Sequence, residues 1–72
     1  MDDMRFAIVI EKGRRNFSAY APDLPGCVAT ADTPEKVGRE MRSAIAFHIE
    51  GLREDGILLS EPTTIVKYVD IT

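Results

Sequence analysis

One cysteine, Cys27, and one histidine, His48, are the only thiol and imidazole in this 72-residue chain. A disulfide within the chain is excluded, and so is a structural zinc site built from one copy, which needs four such ligands. A lone thiol fits a reducing compartment. Tryptophan is absent and aromatic residues make up 7% of the chain. They are not interleaved with the basic residues, so a stacking platform for single-stranded nucleic acid is not expected. Positive charge is also short. Nine Lys and Arg against twelve Asp and Glu leave a net charge of -3. That is a poor start for neutralising phosphates, so no direct DNA binding is expected. An acidic chain more naturally meets a basic protein. The longest apolar runs, Phe6 to Ile10 and Ile57 to Leu59, are too short to cross a bilayer. The acidic start Met1-Asp-Asp-Met-Arg lacks the basic and apolar regions of an export signal. The expectation is a soluble, cytoplasmic protein with no membrane partner.

A chain this short buries only roughly 60% of its unfolded surface, so its own core leaves it marginal. With disulfides and zinc excluded, self-association into a homo-oligomer is the remaining means of support.

The segment from Met4 to Glu11 is β-branched and aromatic. It places Phe6, Ile8 and Ile10 on one face and Ala7 and Val9 on the other, which is the pattern of a central strand with both faces covered. Lys12 to Asn16 supplies a charged, glycine-containing hairpin tip, and Phe17 to Ala21 a second strand. Pro22-Asp-Leu-Pro-Gly26 cannot continue a ladder, because two prolines remove donors and Gly26 permits a positive φ. The chain must reverse there, and Cys27 to Ala31 closes a three-stranded antiparallel meander.

Asp32-Thr-Pro-Glu35 reads as a helix start, with Thr33 capping the first amides, Pro34 at the first helical position and Glu35 opposing the dipole. The spacing predicts a helix over Pro34 to Asp55 with Gly56 as its stop. Val37, Met41, Ala44, Ile45, His48, Ile49 and Leu52 form its apolar stripe, with Phe47 at the margin or at a subunit contact. After an apolar connector, Thr63 to Ile71 is rich in β-branched residues and reads as a last strand. The fold class is α+β, in the order β-β-β-α-β. A right-handed crossover returns the last strand parallel to the first, and the one long helix packs on the sheet.

The turn from Pro22 to Cys27 carries two readings. It is a rigid reversal, or it is a preformed contact loop presenting Tyr20, Asp23 and Leu24, since a stiff loop loses little entropy on binding. Cys27 lacks a base and an orienter for catalysis and reads as a half-buried small hydrophobe. His48, on the apolar side of the helix, reads as a core or interface residue that would need symmetry mates to hold metal. Asp2, Asp3, Glu11, Asp23, Asp32, Glu35 and Asp70 show no metal-ligand spacing and read as solvated surface. No metal or cofactor is expected. Lys12, Arg14 and Arg15 at the hairpin tip read as edge protection.

With Tyr20-x-Pro-Asp-Leu-Pro-Gly-Cys27, then Asp32-Thr-Pro-Glu35, then Ala44-Ile-x-x-His48-Ile-x-x-Leu52 and Gly56, the chain resembles the HicB-like antitoxin family. The resemblance runs from the first hairpin to the proline after the helix. It implies a partly degraded ribonuclease H-like fold, homo-oligomers, and binding to a small basic HicA-type toxin that cleaves RNA. Ribonuclease H enzymes hold divalent metal with a carboxylate cluster that includes an aspartate on the first strand. Arg5 to Ile10 contains no acid, so nuclease activity is not expected. Members often add a C-terminal ribbon-helix-helix or helix-turn-helix domain, whereas residues 1–72 read as a single HicB-like domain without one.

The reading is therefore a non-enzymatic antitoxin-like module, with Tyr20, Pro22, Asp23, Leu24, Pro25, Gly26 and Cys27 as candidate partner-binding residues. Its rivals are an orphan structural homo-oligomer that binds nucleic acid or a small ligand, and a residual hydrolase using Asp23, His48 or Cys27.

Overall fold

The computed structural model describes residues 4–72. Asp2 and Asp3, weighed above with the other carboxylates, lie outside the described residues. Three strands precede one helix: β1 (Val9–Lys12), β2 (Phe17–Tyr20), β3 (Val28–Ala31) and α1 (Pro34–Glu54). The strands form one antiparallel sheet in the order β1-β2-β3. The fold is α+β, with the long helix laid across one face of the sheet.

The hairpin between β1 and β2 closes at Gly13, whose N–H donates to the Asn16 carbonyl at 2.7 Å. Its register pairs Ile10 with Ala19, and β2 pairs Ala19 with Ala29 and Phe17 with Ala31. These residues share the face that meets the helix. Alanine at so many facing positions lets α1 approach the sheet closely. Val37 and Met41 are fully buried between them, with Ala19, Ala21, Leu24 and Cys27 completing the core.

The helix starts and stops as its sequence dictates. Thr33 accepts a hydrogen bond from the Lys36 amide at 3.1 Å, with Pro34 next and Glu35 in the first turn. At the far end Gly56 takes φ +71°. Its N–H donates to the Arg53 carbonyl at 3.1 Å while that of Ile57 donates to the Leu52 carbonyl at 2.9 Å. These are the two bonds of a Schellman stop, and the left-handed position is the one a glycine fills without penalty. Val37, Met41, Ala44, Ile45, His48, Ile49 and Leu52 are all buried or half-buried, as their spacing requires. Phe47 is 81% exposed, off that stripe.

The structure departs from the sequence pattern on one side. The expected last strand over Thr63 to Ile71 does not form: residues 57–72 are neither helix nor strand. The sheet therefore stops at β1, which is an edge and not the central strand its two apolar faces predict. Regular pairing in β1 also begins only at Val9, because β2 ends at Tyr20 and the chain then turns away, leaving 4–8 without a ladder partner. A cleft of about 390 Å³ lies between Arg5, Phe6 and Ala7 on one side and Thr64, Ile65 and Val66 on the other. Strands must approach to roughly 4.8 Å to exchange hydrogen bonds, and no ladder joins these two segments.

Candidate functional site

The loop between β2 and β3 is two turns in series. The Leu24 N–H donates to the Ala21 carbonyl at 3.0 Å, and the Cys27 N–H donates to the Leu24 carbonyl at 3.1 Å. Pro25 and Gly26, the latter at φ +85°, occupy the middle of the second turn, where a type II turn wants proline followed by glycine. The Ala21 N–H donating to the Cys27 carbonyl at 3.2 Å closes the loop at its neck. Both proline-fixed corners and the closed neck make the loop stiff.

This geometry sorts the seven candidate residues. Tyr20, on β2, is 43% exposed, and Pro22, Pro25 and Gly26 are exposed along the loop. Leu24 is only 4% exposed. The sequence reading placed it at the tip facing a partner, and that placement is corrected. The doubled turn folds the leucine back beneath the loop, where it packs with Ala19, Ala21, Val37 and Met41. Cys27 is likewise buried, a core hydrophobe whose thiol is pushed above its ordinary pKa by burial.

Asp23 has an internal task that its sequence position does not disclose. Its carboxylate accepts hydrogen bonds from the Thr63 amide (3.4 Å) and hydroxyl (3.3 Å) and from the Thr64 amide (3.2 Å). It thus ties the loop to the segment after the helix. Partial burial favours the protonated acid, but the hydrogen bonds from Thr63 and Thr64 together outweigh it and hold the carboxyl below its ordinary pKa. A carboxylate depressed on folding contributes stability that is complete above its unfolded pKa, about 3.9, and is lost as pH falls through the lower folded value. An NMR titration is therefore expected to show the Thr63 and Thr64 amides shifting together, with a midpoint below about 3.9, and no such step in Asp23→Asn. A midpoint at or above that value would remove the tie.

Two surfaces were missed from sequence. Val9, Tyr20 and Val28 are register partners, forming a row on the sheet face away from the helix, and Tyr20 and Val28 are exposed. Strand alternation predicts such a row only once the register is known. On the helix side, a cleft of about 550 Å³ opens between the segment before β1 and α1, lined by Phe6, Ile8, Met41, Ile45 and Ile49, with Arg42 and Arg53 among its polar members.

Among the described residues no three of His, Cys, Asp and Glu come together as a metal site. His48 is half-buried on α1, and no hydrogen bond among the described residues joins it to Asp23 or Cys27. Among the described residues no helix is long and apolar enough to cross a membrane.

Comparison with known proteins finds relatives and a family. The chain is 36% identical over 67 residues to an uncharacterized 14.9 kDa protein from the rep-hol intergenic region of Haemophilus phage HP1, covering 93% of this chain and 50% of that protein. It therefore spans half the length of the phage relative. It is 30% identical over 64 residues to a UPF0150 protein of Helicobacter pylori, covering 88% of this chain and 89% of the relative. No solved structure is significantly similar. Residues 6–71, which include both the stiff loop and the segment after the helix, match the family described as HicB_like antitoxin of bacterial toxin-antitoxin system. By that match the chain belongs to the HicB-like antitoxin family.

Proposed function

We propose that this chain is a cytoplasmic, non-enzymatic antitoxin module that binds and neutralises a small basic HicA-type toxin, an RNA-cleaving protein. The observation that carries the reading is the family match over residues 6–71. The net charge of -3 supports it, because complementary charge speeds encounter with a basic partner. The contact surface in this reading is the rigid loop with its neighbouring strand. Tyr20, Pro22, Asp23, Pro25 and Gly26 meet the partner, while Leu24 and Cys27 act from beneath by holding the loop in shape. Self-association belongs to the same reading. So does completion of a ribonuclease H-like sheet, with the segment from Thr63 to Ile71 running parallel to β1.

The test is affinity purification of tagged protein from its native cells, followed by mass spectrometry and an RNA-cleavage assay on any companion. The expected result is a stoichiometric small basic protein whose RNA cleavage is suppressed by this chain. A Tyr20→Glu variant that keeps its circular dichroism spectrum is expected to bind it at least tenfold more weakly. Recovery of the chain with no such companion would overturn the antitoxin reading, and a companion indifferent to Tyr20→Glu would move the interface elsewhere.

A further inference from the structure

Along α1, Gly38, Arg42, Ile45, Ile49 and Arg53 follow one another at three- and four-residue intervals, so they lie in one line on one side of the helix. That line is one wall of the cleft of about 550 Å³, and Phe6, Ile8 and Met41 supply further apolar surface. The apolar part of the helix wall, from Met41 to Ile49, is roughly 12 Å long, and the two arginines stand roughly 16 Å apart along the axis. Ile45 and Ile49 lie between them. A volume of this size falls within the roughly 300–1,000 Å³ of small-molecule sites, which pair apolar walls with a few placed polar groups.

Charge in the cleft runs against the balance of the chain. The net charge is -3, yet among the described residues the charged side chains lining the cleft are Arg42 and Arg53, with no carboxylate beside them. A guanidinium is the group best shaped to pair with a carboxylate, which it meets with two parallel hydrogen bonds. Gly38, one turn before Arg42, adds an independent sign. A Cβ built there would meet nothing within 4 Å, so no contact among the described residues asks for glycine at this position. Glycine also weakens the interior of a helix. What it does here is keep the cleft open beside Arg42.

We infer that this cleft binds an anionic amphiphile of the fatty-acid class, a single unbranched alkyl chain ending in a carboxylate. The chain lies along Phe6, Ile8, Ile45 and Ile49, and the carboxylate pairs with an arginine at the end of the apolar wall. A neutral apolar ligand would give the arginines nothing to do, and a cationic one would be repelled by them. The inference rests neither on the toxin nor on the stiff loop. The row of Val9, Tyr20 and Val28 lies on the opposite face of the sheet, so ligand and protein partner do not compete for one surface.

The test is titration of sodium dodecanoate, below its micelle concentration, into the intact chain, read by calorimetry and by NMR of amides and isoleucine methyls. The expected result is one molecule per chain with a Kd on the order of 100 μM or tighter, and shifts gathered at Phe6, Ile8, Ile45 and Ile49. Each buried methylene is worth roughly fourfold in affinity, so octanoate is expected to bind at least about tenfold more weakly. Dodecyltrimethylammonium carries the same alkyl chain with the opposite charge. An acidic protein adsorbs such a cation preferentially when contact is unspecific, whereas this cleft is expected to bind it at least about tenfold more weakly than dodecanoate. Arg42→Gln/Arg53→Gln, at two exposed positions, is expected to lower dodecanoate affinity by about tenfold or more with an unchanged circular dichroism spectrum. Gly38→Leu places a side chain where there is room for it, and is expected to weaken binding with no fall in melting temperature. Absence of binding up to about 1 mM would overturn the inference. So would equal or tighter binding of the cation, shifts gathered instead at the exposed Leu58 and Tyr68, or an affinity indifferent to both variants.

Discussion

Leu24→Glu is expected to abolish cooperative unfolding, leaving a chain with little helical circular dichroism at 25 °C. Leu24 is 4% exposed and packs against Val37 and Met41, although it sits in a loop whose prolines and glycine advertise a surface turn. Removing a large buried side chain costs about 2–5 kcal/mol. Placing a carboxylate in its stead adds several kcal/mol of desolvation with no partner. At about 0.05–0.15 kcal/mol per residue, a domain of this length has roughly 4–11 kcal/mol to lose. Leu24→Met, which nearly conserves volume, is expected to cost less than about 1.5 kcal/mol and to melt cooperatively. A Leu24→Glu chain with an unchanged melting temperature would show that this leucine faces outward, and would return it to the partner surface.

The second large effect lies on the helix. Met41→Ala is expected to destabilise by about 2–5 kcal/mol, whereas Phe47→Ala, further along the same helix on another face, changes stability within about 0.5 kcal/mol. Met41 is wholly buried between sheet and helix, and Phe47 is 81% exposed. In urea, with a slope near 1 kcal/mol/M for so small a chain, the midpoint of Met41→Ala moves down by about 2 M or more. A Phe47→Ala loss as large as that of Met41→Ala, with a concentration-dependent melting temperature, would place Phe47 in a subunit contact.

What was legible in the sequence is what short-range physics decides. Thr33, Pro34 and Gly56 act through bonds within four or five residues, so the helix bounds, Pro34–Glu54, are almost those its caps predict. The reversal at Pro22 to Gly26 is local in the same way. The direction in which Leu24 points was not legible, because two consecutive turns closed by Ala21 and Cys27 rotate it inward, and a single-turn reading leaves it outside. Nor was the tie from Asp23 to Thr63 and Thr64, a contact across forty residues with no periodic signal. The last strand was misplaced for a related reason. Composition measures how well residues 63–71 suit a sheet, whereas pairing needs an edge within reach. The central-strand pattern of Met4 to Glu11 and the strand pattern of residues 63–71 each measure suitability for a sheet and not the pairing itself.

Cys27 gives the protein an internal stability gauge. Its sulfur is covered by the core, and burial pushes its thiol above its ordinary pKa, so a reagent in solution meets two obstacles that ease together when the domain opens. As the chain's only thiol, it reacts at a rate that, divided by the rate of an unfolded control, reports the fraction of open molecules at any moment. A single mass increment per chain would therefore follow this domain's opening in a mixture, at low concentration, or beside a bound partner, with no label engineered into it.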